Sequence, residues 1–507
     1  MNERKAGVIL SYINMGVNGI IMLFYVPMLL HYLTKEQFGV YQLIGSFIST
    51  LIVMDFGLNS TITRFLSNAK ARKDTTQEEE ILSSSCFLYL LVAIGVVLVG
   101  LCLYAGITPL YQHSFSVQEL VLAKQLFLVL LFNFLITICG NLFLAVLFTN
   151  EKFVLWQTAQ LGNTILLPLC SWGVLSLHGG ALGLVLLQTV FNIAIVGIYY
   201  GYCRFKLQVR FRLRVPVRKC LWELISFSWA VFVFNAADQV YWRLGSIVLG
   251  AVIGAAVVAN YAIGMHIFWL FVLLSVGVSR VFLPKLSADW ARTGSLESHN
   301  SVFCQVGRIQ FMVACLILVG FFFVGKSFIL LWLGAGYEVS YWITLILMAG
   351  CLIAVAQSVS IAILQAMNKF AVAAYIRLFV SVLSIGVAVY FSRYWGEVGC
   401  AVASSICMLC CQTVLLNIYY RKLGLKIKKF FQAISPLLIW SVVAGILCWS
   451  VFVWWPVAAT WCSFLLHGCC VVLIYGTVMV TLGFNQFERD LCREMITFVK
   501  QKIKNAA

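Results

Sequence analysis

The chain has 507 residues, of which 62% are hydrophobic and only 10% are charged, and its formal net charge is +17. Soluble domains contain about 25% charged residues, so this composition excludes a water-soluble globular protein. Apolar runs of about 20 residues recur along the whole chain, which is typical of a polytopic membrane protein. The sequence therefore predicts an all-α fold that crosses the bilayer many times.

The first apolar run follows the charged start MNERK and extends to about Leu33. It is too long for the core of a signal peptide and lacks a small-residue cleavage site, so we expect an uncleaved first helix. Similar runs continue to the C-terminal tail, and together they predict about fourteen spans. Their approximate limits are 7–33, 39–66, 81–106, 120–148, 154–177, 180–202, 222–249, 253–284, 303–325, 339–366, 370–391, 397–420, 433–454 and 457–483.

Lysine and arginine concentrate in alternate connections between these spans. Residues 203–219 contain seven of them, residues 421–429 contain five, and others lie in 69–74 and at both termini. Because cytoplasmic loops are enriched in Lys and Arg, these segments and both termini are expected in the cytoplasm. Topology thus accounts for the positive charge, and we expect a multi-pass protein of the cytoplasmic membrane without a nucleic-acid partner.

The 18 cysteines are scattered through the apolar runs, and the tightest group, CMLCC at 407–411, falls inside a predicted span. Zinc sites combine thiolates with other ligands, usually in polar loops, so we expect these cysteines to be small apolar filler. The nucleotide-binding pattern G-x-x-x-x-G-K-[ST] is absent, and no loop is long enough for a soluble catalytic domain. The sequence therefore predicts no metal cofactor and no enzymatic activity.

The chain contains an internal repeat with an offset of about 220 residues. This offset places Tyr41 on Tyr261 and Gly57 on Gly277, within similar apolar surroundings. Both halves start in the cytoplasm, so the repeat is parallel, as in alternating-access carriers. It predicts two six-helix lobes followed by two extra helices. The predicted domains are 1–202 (first lobe), 203–221 (basic linker), 222–420 (second lobe), 421–483 (two extra helices) and 484–507 (cytoplasmic tail).

Two repeat-related helices each carry a polar stripe. At 100° per residue, Ser11, Asn14, Asn18 and Tyr25 fall on one face of the first helix, and Ser228, Asn235, Gln239, Trp242 and Ser246 on one face of the seventh. An offset of 221 superposes Asn14 on Asn235 and Asn18 on Gln239. Matching stripes favour a shared wet interior, so these four residues are candidate substrate contacts. The alternative is hydrogen bonding between helices, for which membrane proteins also use Asn and Gln.

The stretch VMDFGLNSTITRF, residues 53–65, places Asp55 and Arg64 in one predicted helix. On a continuous helix, nine residues turn about 900°, which puts these two side chains on opposite faces. Asp238 and Arg243 are about 140° apart and cannot pair along their helix either. Each charge therefore needs partners on other helices or in water.

The charges inside the spans are mostly positive. They comprise Arg64, Arg243, Arg280, Arg308 and Arg377 against Asp55 and Asp238. A cationic interior favours an anionic substrate, since arginine matches the oxygens of phosphate. Arg64 and Arg280 could simply reach the lipid headgroups, whereas Arg243 and Arg377 lie deeper. Asp55 and Asp238 are candidates for coupling to Na⁺ or H⁺, and a purely structural carboxylate is the alternative.

These residues carry a resemblance to a known family. VMDFGLNSTITRF, NAADQVYWRLGSIVLG at 235–250 and VVANYAIG at 257–264 resemble the polysaccharide exporter and flippase family of the multidrug/oligosaccharidyl-lipid/polysaccharide superfamily. The resemblance implies a two-lobed bundle that alternates between inward-open and outward-open forms. It also implies a polyprenyl-pyrophosphate-linked oligosaccharide as substrate, with the pyrophosphate held by Arg64, Arg243 and Arg377.

The leading hypothesis is therefore a monomeric flippase for cell-surface polysaccharide biosynthesis, with membrane lipid around it and a polymerase and glycosyltransferases as partners. A cation-coupled multidrug exporter of the same superfamily is the alternative, and it would depend on Asp55 or Asp238. A membrane glycosyltransferase or polymerase is a third possibility. Enzymes of that class usually need a large extracytoplasmic loop with acidic catalytic groups, which this chain lacks.

Overall fold

The computed structural model describes residues 3–209, 218–277, 296–367, 369–490 and 493. Its α-helices up to the second half of the chain are α1 (Glu3–Tyr32), α2 (Lys35–Leu51), α3 (Leu58–Ala71), α4 (Thr75–Tyr111), α5 (Val117–Thr149), α6 (Phe153–Ser176), α7 (Gly180–Gly201), α8 (Arg218–Val252) and α9 (Ala255–Val276). They continue with α10 (Leu296–Leu333), α11 (Val339–Ala356), α12 (Val359–Ala366), α13 (Phe370–Leu409), α14 (Asn417–Lys422), α15 (Ile427–Trp454) and α16 (Trp461–Val478). No strand occurs in these described ranges, so the all-α prediction is confirmed.

Eleven helical segments among the described residues are long and apolar enough to cross a membrane. One of them, Phe370–Lys422, covers two predicted spans and is interrupted at Gly396, whose φ is 60° and ψ is −140°. The predicted spans 154–177 and 222–249 coincide with α6 and α8, which are not among the eleven. The fold is therefore that of a multi-pass membrane protein, and the exact number of spans remains a prediction.

The predicted continuous helix 39–66 is wrong. A short 3₁₀ turn, Ile52–Asp55, extends α2, and the chain then breaks at Phe56 and Gly57 before α3 begins. Both residues are left-handed, with φ of 52° and 67°. Glycine adopts this conformation without steric cost, and the Phe56 ring is held by stacking on Phe232 of α8 at 4.5 Å between ring centroids. The helical turn count between Asp55 and Arg64 therefore does not apply.

The described residues divide into two compact units. The first unit comprises Met1–Ala262 and Arg377–Cys400, and the second comprises Ile263–Ile376 and Ala401–Ala507. By its contacts, α8 belongs to the first unit. The division into lobes 1–202 and 222–420 remains a prediction. The basic linker lies partly outside the described residues, as do most of the tail and Arg280.

Close helix packing holds the first unit together. In the bilayer, small residues at helix interfaces allow backbones to approach. Gly39 of α2 is an example, since an added Cβ would lie 1.9 Å from the carbonyl oxygen of Ala255. Tyr111 donates a hydrogen bond to the carbonyl oxygen of Ile247, and Ser114 does the same to that of Gly250. These contacts fix the C-terminal part of α8 against α4 and the turn that follows it.

Helices α10, α11, α15 and α16 pack together in the second unit. Cys448, Phe452 and Val471 form a buried apolar cluster between α15 and α16, with Leu316 and Phe323 of α10 against it. The two C-terminal helices are thus an integral part of this unit.

Candidate functional site in the first unit

Asp55 lies at the helix break that follows α2. Its Oδ1 accepts a hydrogen bond from Asn141 Nδ2 at 3.0 Å, and the backbone N–H of Asn59 in the first turn of α3 also bonds to the carboxylate. The Asn59 side chain donates to the carbonyl oxygen of Asn141 at 2.9 Å. A carboxylate at a helix N-terminus is favourable, so Asp55 stabilises the start of α3.

Tyr89 of α4 lies beside the same carboxylate and is 3% exposed. Its hydroxyl makes no hydrogen bond of normal length within the described residues. The groups placed around Asp55 are thus the Asn141 amide N–H, the Asn59 backbone N–H and the Tyr89 hydroxyl, all of which can donate. No Lys or Arg of the described chain forms an ion pair with Asp55. Hydrogen-bond donors stabilise the ionised form of a carboxylate. A hard metal cation would instead need several oxygen ligands around it.

The structure brings Asp238 and Arg377 together. Arg377 NH1 lies 3.9 Å from Asp238 Oδ1, and Trp242 Nε1 donates to the same oxygen at 3.2 Å. The sequence analysis predicts ion coupling for Asp238 and substrate binding for Arg377. As neighbours, they largely neutralise each other, and both roles remain predictions.

Arg243 lies in α8, five residues after Asp238, and is half-buried. Its guanidinium makes no hydrogen bond or ion pair with any described residue, in contrast to Arg377. Placing an arginine at membrane depth is unfavourable unless it faces water, a counter-charge or a ligand. Arg243 is therefore a span arginine of this unit whose charge has no compensating partner among the residues that the structure describes.

Arg64 and Arg308 occupy different environments. Arg64 is exposed on α3, beyond the helix break. Arg308 of α10, in the second unit, is 8% exposed and forms an ion pair with Glu488 at 2.7 Å. The charge of Arg308 is neutralised by Glu488 within the second unit. It is therefore not available to an anionic substrate.

The polar stripe of the first helix is used largely for helix packing. Asn14 Nδ2 donates to Gln157 Oε1 at 3.3 Å, and Thr164 Oγ1 donates to Asn14 Oδ1 at 3.2 Å. The hydroxyls of Tyr25 and Ser171 are 3.3 Å apart. These bonds join α1 to α6, as the alternative interpretation of the stripe requires.

The remaining candidates of the two stripes differ in their surroundings. Asn18 is exposed on α1, and Gln239 is half-buried on α8. The side chain of Asn235 lies outside what the structure describes. Substrate contact by Asn14, Asn18, Asn235 and Gln239 remains a prediction.

Sequence reasoning missed a polar cavity of about 240 Å³ between α5, α6 and α7. Its polar lining consists of Asn133, Thr137, Asn141, Gln160, Asn163, Gln188, Asn192 and Tyr199. Asn192 Nδ2 donates to Thr137 Oγ1 at 2.7 Å, and Asn163 Oδ1 is buried without a hydrogen-bond partner in the described chain. Asn141 connects this cavity to Asp55. The spacing of Asn133, Thr137 and Asn141, four residues apart on one face of α5, was the available signal.

Comparison of the chain with a family model and with solved structures identifies its family and its fold. A family model described as "Polysaccharide biosynthesis protein" matches residues 4–290, more than half of the chain. A structure of "Lipid II flippase MurJ, inward closed conformation" covers 96% of this chain and 100% of its own, with 17% identity and a TM-score of 0.74. An inward-facing multidrug resistance MATE family transporter of the MOP superfamily covers 83% and 99%, with 15% identity and a TM-score of 0.69.

A third structure is a MOP superfamily transporter from Pyrococcus furiosus, which is described as having a binding pocket of reverse polarity. It covers 83% of this chain and 97% of its own, with 14% identity and a TM-score of 0.58. No curated protein sequence matches the chain. At these identities the structural likeness shows the fold, which the chain shares with these transporters and this flippase. The chain therefore belongs to the polysaccharide biosynthesis protein family and has the fold of the MOP transporter superfamily.

Proposed function

We propose that this protein is a flippase that moves a polyprenyl-pyrophosphate-linked oligosaccharide across the cytoplasmic membrane by alternating access. Membership of the polysaccharide biosynthesis family supports this class of substrate. The enzymes that build and polymerise the oligosaccharide would be its functional partners. The protein itself performs no bond chemistry in this scheme, and its residues bind, orient and release the substrate.

The Arg243 guanidinium, which has no counter-charge among the described residues, carries the proposal. A guanidinium donates two parallel hydrogen bonds to phosphate oxygens, and it remains charged at every physiological pH. A diphosphate supplies the counter-charge that the described residues do not provide. The nearby Asp238–Arg377 pair is close to neutral, so it does not cancel the positive field of Arg243.

We further propose that Asp55 couples transport to an ion gradient, and that the ion is a proton. One carboxylate suffices to take up and release a proton, whereas Na⁺ needs several oxygen ligands, and both Asn141 and Asn59 present N–H donors to Asp55. Protonation would remove the charge that holds the first turn of α3 and would weaken the link to Asn141. Transport that follows an imposed pH gradient and ignores a sodium gradient is the expected result.

The decisive experiment measures flipping of a fluorescent polyprenyl-diphosphate oligosaccharide in proteoliposomes. Arg243→Ala should reduce the rate at least about tenfold, because loss of a charge-assisted bidentate contact costs about 1.5–3 kcal/mol. Arg243→Lys should restore part of the rate by keeping the charge. Arg393→Ala, at an exposed arginine of the same unit, is the matched control and should be neutral. Wild-type flipping by Arg243→Ala would refute the proposed role.

The alternative function is export of cationic drugs, and the structural likeness to MATE transporters favours it. A cationic drug would be repelled by Arg243 and attracted by Asp55. Efflux of a cationic dye that depends on Asp55 and increases in Arg243→Ala would establish this alternative. Absence of such efflux together with flipping of the lipid would exclude it.

A further inference from the structure

A second, larger cavity of about 1070 Å³ lies in the first unit, at the end predicted to face the cytoplasm. It is lined by the start of α1, the end of α3, the end of α5 and the start of α6. Its charged groups are Glu3 from α1, Lys70 from α3, and Glu151 with Lys152 from the turn between α5 and α6, which also lines the cavity. We call this cavity the vestibule.

Both lysines of the vestibule are held by residues of the protein. Lys152 Nζ lies 2.7 Å from Glu3 Oε1, and the side chains are 29% and 46% exposed. The hydrogen bond that Lys152 donates to the Glu3 carboxylate raises the pKa of Lys152, which lies in the turn between two helices. Lys70 Nζ donates to the Asn150 side-chain oxygen. Displacement of Glu3 would leave two ammonium groups against the single carboxylate of Glu151.

Arg64 extends the row of cations away from the vestibule along α3. It precedes the vestibule residues Ser67 and Ala71 by three and seven residues, which places all three on one face of the helix. Arg64 is exposed on this face. Along the predicted membrane normal, an anion that enters the vestibule would thus meet Lys152 and Lys70 first and Arg64 about 9 Å farther along α3.

We propose that the vestibule is a docking site for the phosphate groups of the lipid-linked substrate, in which the Glu3 carboxylate occupies Lys152 until a phosphate displaces it. This inference rests on the proposed function. Exposed ion pairs contribute little net stability, so Glu3 can exchange without disturbing the fold. A diphosphate carries more charge than a carboxylate and presents more oxygens, so it can contact both lysines at once. Glu3 acts as an internal competitor that closes the empty site.

The test measures binding of inorganic pyrophosphate to the full-length protein in zwitterionic nanodiscs by calorimetry at low salt. Glu3→Gln should tighten binding by at least about threefold, because the competing carboxylate is gone and the side-chain size is kept. Lys152→Gln should weaken binding by a similar factor. Lys326→Gln and Glu338→Gln are matched controls, since these residues form an exposed ion pair of 3.7 Å in the second unit. They should leave binding unchanged.

Equal affinities of Glu3→Gln, Lys152→Gln and the wild type would overturn the vestibule proposal. A competition arm identifies the source of the phosphate. Polyprenyl diphosphate should displace pyrophosphate at lower concentration than phosphatidylglycerol, and equal competition by the two lipids would show a general anionic-lipid site instead. Flipping that requires Arg243 but ignores Glu3 and Lys152 would refute the vestibule while leaving the proposed function intact.

Discussion

Arg243 of the first unit and Arg308 of the second unit are similar in sequence context, since each interrupts an apolar run. Their environments are opposite. The guanidinium of Arg308 binds both carboxylate oxygens of Glu488 and the carbonyl oxygens of Ala433 and Gly483. Arg243 has no such partner among the described residues. Position within an apolar run therefore does not distinguish a structural charge from one available to a ligand, whereas the partners of the charge do.

The Arg308 site connects three elements of the second unit. Arg308 belongs to α10, Ala433 to α15, and Gly483 ends the π-helical turn after α16. The Glu488 carboxylate also accepts from the backbone N–H of Asn485 at 2.8 Å. A buried charge that is paired and makes four hydrogen bonds fixes the geometry of its neighbours. This arrangement explains how the last two helices and the segment that follows them are held in place.

Breaking the Arg308–Glu488 ion pair should lower the free energy of unfolding more than any other change considered below. Arg308→Ala leaves Glu488 buried without a counter-charge and should lower the free energy of unfolding by about 3–5 kcal/mol. Arg243→Ala should change it by less than about 1 kcal/mol, because no hydrogen bond or ion pair with a described residue is lost. Unfolding in detergent, followed by intrinsic fluorescence with denaturant, measures both. Equal destabilisation by the two variants would remove the contrast between these arginines.

Within the first unit, Arg377 is paired with Asp238, and breaking this pair should have a smaller effect on stability. We expect a coupling energy of about 0.5–2 kcal/mol between them in a double-mutant cycle with Asp238→Asn and Arg377→Gln. Coupling arises because each single change leaves the other charge without its partner. The same cycle between Asp238 and Arg243 should give a coupling near zero. Strong coupling of Asp238 with Arg243 would show that the carboxylate compensates Arg243 instead of Arg377.

The smallest effect concerns the helix break beside Asp55. Gly57→Ala should lower the free energy of unfolding by about 1 kcal/mol, because alanine is strained at a φ of 67°. Gly45→Ala in α2 is the control, since an added Cβ meets no atom within 4 Å and the backbone is helical. It should be neutral or slightly stabilising. A neutral Gly57→Ala would mean that the break is not required in the folded protein.

The internal repeat extends the comparison to the two halves of the chain. The offset of 220 places Asp55 on Ser275 and Gly57 on Gly277. α9 ends at Val276, next to the repeat-related glycine, just as the extension of α2 ends at Asp55. Ser275 is buried, and its hydroxyl has no hydrogen-bond partner in the described ranges. A helix end is thus retained at equivalent positions, while the carboxylate is present in only one half.

Much of the fold could be predicted from sequence because it depends on local properties. Apolar runs of span length must form helices in the bilayer, where each backbone polar group needs a partner within the segment. The predicted spans accordingly fall on helices, and the family resemblance to polysaccharide exporters is confirmed. The second span was wrongly predicted to be one continuous helix. Phe56 has no obvious sequence signal for its left-handed conformation, which is held by stacking on Phe232.

The all-helical membrane-spanning architecture, the family and the excess of arginine over acidic residues inside the spans can all be read from the amino-acid sequence. Which of these charges are compensated depends on how the helices pack. Arg308 and Glu488 are 180 residues apart in the chain, and Arg377 and Asp238 are 139 apart, so no local pattern predicts either pair. Electrostatic compensation depends on distances of a few ångströms between helices, and helix packing alone sets those distances.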